Sequence, residues 1–136
     1  MGDPAMQGAP EAVVVVIRRE GRVLVIQRGP ESRKSGYWSP PSGRVEAGES
    51  QAQTVIREMR EELGLEVRPV SKIWESRTDD GTFLLHWWLA EENGGAITPH
   101  PGEVSRVIWV NAEEFLQLDR TFRGGREFFR SVLPTA

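Results

Sequence analysis

The sequence contains no cysteine, and this absence excludes two kinds of site at once. Neither a disulfide framework nor a thiolate metal site can form without cysteine. No apolar run approaches the roughly 18 residues that a membrane-spanning helix needs, and no N-terminal segment combines a basic start with an apolar stretch. We therefore expect a soluble, cytoplasmic protein that makes no membrane contact.

Positive charge is not in excess either. Seventeen basic residues face 20 acidic ones, for a net charge of −3, and the pI is near 5.5. This balance argues against stable nucleic-acid binding, although a local basic patch can still hold phosphates. A length of 136 residues, 38% hydrophobic and 27% charged, fits one globular domain. We expect a flexible leader over residues 1–10 and a single domain over residues 11–136; the sequence carries no signal for an oligomeric state.

The order of the predicted elements indicates an α/β fold. Two valine-rich runs around Glu20-Gly21 predict a β-hairpin, and residues 65–74 predict a strand that Pro69 confines to an edge or a bulge. Residues 82–90 are apolar on both faces, as in a central strand. A further strand over 104–110 precedes a short helix capped by Asn111 and a C-terminal helix. Strands on both sides of one central helix imply a mixed sheet covered on both faces.

The most informative stretch is 43–65, GRVEAGESQAQTVIREMREELGL. Ser50 and Gln53 form a capping box, and Gly64 is a suitable residue after a helix end, so a helix of about 14 residues is predicted between them. One face of this helix is apolar, with Ala52, Val55, Ile56, Met59 and Leu63. An adjacent arc carries Glu58, Glu61 and Glu62. These carboxylates suit a hard divalent cation; the alternative is a solvated charged face on which Arg57 and Arg60 are the partners.

The same stretch resembles the Nudix box, G-x5-E-x7-R-E-U-x-E-E-x-G-U with U apolar, at every fixed position: Gly43, Glu49, Arg57, Glu58, Met59, Glu61, Glu62, Gly64 and Leu65. The resemblance implies an α/β/α Nudix sandwich with a mixed β-sheet and a central catalytic helix. It also implies a Mg²⁺- or Mn²⁺-dependent hydrolase of a nucleoside diphosphate linked to another group. One departure is Pro41-Ser42-Gly43 in place of the usual Pro-Gly-Gly.

Site residues follow from the resemblance. It implies metal ligands at the Ser42 carbonyl, Glu58, Glu61, Glu62 and, less directly, Glu103 in the loop before a late tryptophan-containing strand. It also implies that Arg57 pairs with Glu49 and orients the acids, so that the predicted catalytic residues are Glu49, Arg57, Glu58, Glu61 and Glu103. Which glutamate takes the proton of the attacking water stays open at this point.

Substrate contacts are predicted from residue type and position. The basic residues Arg28, Arg33 and Lys34 lie just before the box and suit phosphates. Trp38, Phe83 and Trp88 are candidates for stacking a base, with core packing as the alternative for Trp38. In its compact length the chain most resembles MutT-like members of the family, and this resemblance implies a nucleoside triphosphate as the substrate, such as an oxidised deoxyguanosine triphosphate. The alternatives are a dinucleoside polyphosphate, a nucleotide sugar or ADP-ribose as the substrate, or a nucleotide-binding regulator without turnover.

Overall fold

A computed structural model describes residues 8–135, so most of the predicted leader lies outside the described part of the chain. The hairpin is present: β1 (Glu11–Arg19) and β2 (Arg22–Arg28) pair antiparallel. The turn residues Glu20 and Gly21 have φ values of 51° and 77°, as a two-residue hairpin turn with a left-handed backbone requires. The chain continues through β3 (Trp38–Ser39) and β4 (Ser42–Arg44) into the central helix α1 (Gln51–Leu63).

The second half adds the outer strands and the other helical layer. After α1 come β5 (Val67–Arg77), β6 (Leu84–Glu92) and β7 (Val104–Val110), and then α2 (Ala112–Leu116) and α3 (Arg123–Glu127). A π-helical turn, Phe128–Val132, and a 3₁₀ turn, Leu133–Thr135, extend α3 without a break. No helix in residues 8–135 is long and apolar enough to cross a bilayer.

The sheet is mixed, as predicted. Its order is β3-β2-β1-β6-β5, with β4 also paired to β1 and β7 to β2. Only β1 and β6 run parallel among these named pairs. Strand β6 lies between β1 and β5, which confirms that it is central. Strand β5 is at the edge, and its register shifts between Pro69 and Ser71, because proline has no N–H to donate to a neighbouring strand.

Alternating side chains of β1 build a core on each face of the sheet. Val13, Val15 and Ile17 pack with the apolar stripe of α1, while Val14 and Val16 pack with the C-terminal helices. The first core also includes Val55, Met59 and Leu63 of α1; the second includes Trp87, Phe115, Phe128 and Phe129. A sheet between two helical layers is therefore confirmed.

Helix α1 begins and ends as predicted, but its buried face is wider than the apolar stripe alone. Ser50 and Gln53 form the capping box, and Gly64 closes the helix at φ 62°. The helix has 13 residues, close to the 14 predicted. Thr54, Glu58 and Glu62 are buried beside the apolar stripe, whereas Ile56 is only partly covered. The interpretation of the acidic arc as a solvated face is thus wrong for Glu58 and Glu62, because the sheet and the neighbouring loops cover them.

Candidate active site

An ion pair between Glu49 and Arg57 connects the loop before α1 to the helix. The Nε and Nη2 atoms of Arg57 donate to the two carboxylate oxygens of Glu49 at 2.7 and 2.9 Å. The hydroxyl of Thr54 donates to the same carboxylate at 2.6 Å. These hydrogen bonds lower the pKa of Glu49 to about 2, Arg57 first and Thr54 second, and the pair in turn raises the pKa of Arg57. The predicted ion pair is present; its effect on turnover stays a prediction.

The same guanidinium orients the acidic residues of the helix. Nη1 of Arg57 donates to Glu58 at 2.8 Å and to Glu61 at 3.2 Å, while Nη2 also donates to the Arg44 carbonyl at 2.8 Å. Its side chain is 23% exposed. Arg60, by contrast, points away and pairs with Glu66 at 2.6 Å. One arginine therefore links β4, the loop and two helix carboxylates.

Glu58 lies against the backbone of Gly43. An added Cβ at Gly43 would lie 2.0 Å from the carboxyl carbon of Glu58, so only glycine leaves room for this carboxylate. The pKa of Glu58 is raised to about 7, chiefly by burial; the charge and hydrogen bond of Arg57 lower it, and the charges of Glu61 and Glu103 raise it. The first glycine of the box is thus explained by a close approach rather than by a special backbone angle.

Glu62 is the most unusual group of the site. Its residue is 9% exposed, and within the described part of the chain its Oε2 atom is buried without a hydrogen-bond partner. Burial raises its pKa to about 9, followed by repulsion from Glu58 and Glu103; Arg28 acts in the opposite direction. A buried carboxylate without a partner is costly, so this oxygen has the property expected of a cation ligand.

The donor set fits a hard divalent cation, which prefers carboxylate and carbonyl oxygens. Glu58 and Glu62 present buried oxygens, Glu61 is at the rim, and Ser42 lies half-buried at the start of β4 next to Gly43. No three acidic or histidine side chains within residues 8–135 already stand in ligand geometry. A cation bound here would compete with Arg57 for the carboxylates of Glu58 and Glu61.

Two loops bring Glu103 and Arg28 to these carboxylates. Backbone hydrogen bonds from Gly29 to the Glu103 carbonyl, 2.7 Å, and from Glu31 to the Gly102 carbonyl, 2.9 Å, join the end of β2 to the start of β7. Glu103 is exposed, yet its charge affects both Glu58 and Glu62. Arg28 is partly buried, and burial lowers its pKa while the charges of Glu62 and Glu103 raise it.

The other predicted substrate contacts are more scattered. Arg33 and Lys34 are exposed in the loop after β2, and the Arg33 carbonyl accepts a hydrogen bond from Arg28 Nε at 2.6 Å. Trp38 is 8% exposed and packs in the core on the sheet face opposite α1, in agreement with the core-packing alternative. Trp88 packs on the α1 side and donates to Gln51 at 2.9 Å.

The remaining aromatic rings include two that the sequence analysis missed. Phe83 lies under the guanidinium of Arg44, 5.2 Å from the ring centre. Tyr37 and Phe122 have ring centres 4.9 Å apart, and Arg28 lies 6.0 Å from the centre of Phe122. No local pattern links positions 37 and 122, because their contact depends on β3 lying beside residue 121.

Comparison with known proteins identifies the family. The NUDIX domain model matches residues 8–132. The chain belongs to the NUDIX family. A CTP pyrophosphohydrolase of Escherichia coli K12 is 35% identical over 109 residues, 79% of each chain. A putative 8-oxo-dGTP diphosphatase of Mycobacterium tuberculosis H37Rv is 33% identical over 110 residues, 79% of this chain and 77% of the relative. This Nudix chain is therefore a hydrolase that acts on pyrophosphate bonds.

A solved structure supports the fold. The MutT protein of Methanosarcina mazei Go1 superimposes with a TM-score of 0.78 at 24% identity, covering 92% of this chain and 93% of that one. At this identity the likeness concerns the fold alone. Several other curated relatives are longer, and the chain spans less than half of their length.

Proposed function

We propose that the protein is a divalent-metal-dependent pyrophosphohydrolase that cleaves nucleoside triphosphates to a monophosphate and pyrophosphate. The observation that carries this proposal is Glu62, whose buried Oε2 has no hydrogen-bond partner among residues 8–135 while the charges of Glu58 and Glu103 repel it. Both relatives named above that match over most of their own length act on nucleotides, according to their names. Mg²⁺ or Mn²⁺ held by Glu58, Glu61, Glu62 and the Ser42 carbonyl would neutralise phosphate charge and increase the acidity of the attacking water.

The carboxylates have different roles in this proposal. Glu49 is a poor general base, because Arg57 occupies both of its oxygens and its pKa is near 2. It orients Arg57, which holds Glu58 and Glu61 in place. Glu103 is exposed at the edge of the site, so we assign to it the proton of the attacking water rather than the cation. As water adds to the α- or the β-phosphorus, the bond from that phosphorus to the α–β bridging oxygen breaks. Its electron pair leaves with pyrophosphate in the first case and with the nucleoside monophosphate in the second.

Basic residues bind the far end of the substrate. Arg28 lies close enough to the carboxylates for its charge to affect Glu62, and its guanidinium can donate to phosphate oxygens. Tyr37 and Phe122, next to Arg28, offer partly buried aromatic faces. A compact nucleoside triphosphate can contact the acidic cluster and this basic-aromatic patch together, which favours it over a long dinucleotide.

The test is a product analysis with a matched pair of variants. Purified protein is incubated with Mg²⁺ or Mn²⁺ and each of five substrate classes: ordinary nucleoside triphosphates, oxidised deoxyguanosine triphosphate, dinucleoside polyphosphates, nucleotide sugars and ADP-ribose. Glu62→Gln should lose at least about 100-fold in turnover, as loss of a preorganised charged group does. Glu66→Gln should retain the turnover, because Glu66 follows the end of the same helix and its side chain, 44% exposed, pairs with Arg60.

The outcomes separate the alternatives. Monophosphate plus pyrophosphate from a triphosphate supports the proposal. Selective conversion of ADP-ribose or a nucleotide sugar to two monophosphates would refute the substrate class and leave the helix assignment intact. Tight nucleotide binding without product over hours would instead indicate a regulator.

A further inference from the structure

The loop that carries Glu103 is attached to the end of β2 by two backbone hydrogen bonds. The Gly29 N–H donates to the Glu103 carbonyl at 2.7 Å, and the Glu31 N–H donates to the Gly102 carbonyl at 2.9 Å. On its other side the same loop covers the end of α1, where the N–H groups of residues 98 and 100 donate to the carbonyls of residues 63 and 62 at 2.7 and 2.8 Å. The loop is therefore held between β2 and the catalytic helix.

Gly29 is buried, and its backbone leaves no space for a side chain. An added Cβ would lie 2.5 Å from the Gly102 carbonyl oxygen and 2.8 Å from the Glu103 carbonyl carbon. Both obstacles are backbone atoms, which cannot rotate away as a side-chain end can. Gly29 is not among the glycines with positive φ, so glycine is needed here for the close approach and not for the backbone angle.

We propose that Gly29 is a positioning residue for catalysis, because its missing side chain allows the backbone of Glu103 to dock on β2 and directs the Glu103 carboxylate to the acidic cluster. The inference depends on the role that the proposed function gives to Glu103. A substituent at residue 29 must push the 102–103 backbone outward by several tenths of an ångström or more. Displacements of about 1 Å at a reacting group can cost about 100-fold in rate.

The test is Gly29→Ala, with Gly124→Ala as the matched control. Gly124 also lacks a positive φ, and an added Cβ there meets no atom closer than 3.8 Å. For Gly29→Ala we expect kcat to fall between about 10- and 100-fold with KM within about threefold of wild type, because the phosphate-binding residues stay in place. Gly124→Ala should leave both constants within about twofold of wild type.

A double variant distinguishes positioning from general damage. The double variant Gly29→Ala, Glu103→Gln should be no slower than Glu103→Gln alone, since both changes act through one carboxylate. Losses that multiply, an unchanged kcat in Gly29→Ala, or an effect on KM alone would each overturn the proposal.

Hydrogen exchange of the wild-type protein keeps the inference testable if Gly29→Ala does not fold. The amides of Gly29 and Glu31 should exchange as slowly as those of the β2–β7 pairing, and rapid exchange would overturn the proposal. Exchange does not depend on turnover, so it still reports on the contact if wild-type protein hydrolyses none of the substrates. A failure to hydrolyse any substrate would refute the proposed function, but it would not refute the backbone contact at Gly29.

Discussion

Raising the pH should destabilise the metal-free protein, because folding buries the Glu62 carboxyl in a site that favours its protonated form. The ordinary pKa of Glu62 is near 4.5, and burial in the fold raises it to about 9. A group with a raised pKa contributes stability that is fully present below pH 4.5 and is lost as the pH rises through the folded value. At about 1.4 kcal/mol per pH unit, Glu62 alone loses up to about 4 kcal/mol between pH 5 and 8.

Structural relaxation around Glu62 and the entry of water reduce that upper limit. We therefore expect the free energy of unfolding to fall by about 2 kcal/mol between pH 5 and 8, or roughly 7 °C in Tm for a chain of this size. Glu58 acts in the same direction, with a pKa near 7. Glu49 and Asp80 have lowered pKa values near 2, so their stabilising contributions are lost only below about pH 4.5 and do not affect this interval.

The assay is urea unfolding in EDTA at pH 5, 6.5 and 8, followed by the fluorescence of the five tryptophans. Glu62→Gln removes the group with the larger shift and should reduce the pH dependence to the part that Glu58 contributes. The variant should then be more stable than wild type at pH 8, although its turnover collapses. Glu61→Gln, on the same helix but 59% exposed, should keep the wild-type slope. Without EDTA, Mn²⁺ at about 100 times its dissociation constant should increase the free energy of unfolding at pH 8 by about 2.7 kcal/mol. Wild-type stability that is flat or rises from pH 5 to 8 would refute the reasoning.

Two other substitutions test the roles of basic residues. Arg57→Ala removes the group that holds Glu49 and Glu58, so turnover should fall about 100-fold or more while thermal stability changes little. Paired kinetic and unfolding measurements test this: a comparable loss of both, or a loss of neither, would count against an orienting role. Arg28→Gln should raise KM for a triphosphate about tenfold, the effect of losing one charged hydrogen bond, whereas Arg22→Gln at the exposed opposite end of β2 should not; equal KM values for the two variants would exclude phosphate binding by Arg28.

Local patterns were sufficient for the longer elements but not for the short strands β3 and β4, and the family resemblance supplied one ion pair. The capping box at Ser50 and Gln53 located α1 because a cap involves residues only three positions apart. The Glu20-Gly21 turn located the hairpin for the same reason. The pairing of Glu49 with Arg57 followed from the family motif, whose two positions lie on one loop and the adjacent helix.

The clustering of carboxylates on one arc of α1 can be read from the amino-acid sequence, whereas their burial depends on how the rest of the fold packs against the helix. Helical periodicity specifies a direction around the helix axis, but burial depends on which distant segments cover that direction. The covering segments are β4, where Gly43 admits Glu58, and the loop that brings Glu103 to Glu62. The same limit explains why both base stacking and core packing stayed open for Trp38 in the sequence analysis and why Tyr37 was not linked to Phe122. The neighbours of these residues are supplied by sheet order and packing, which no short-range pattern encodes.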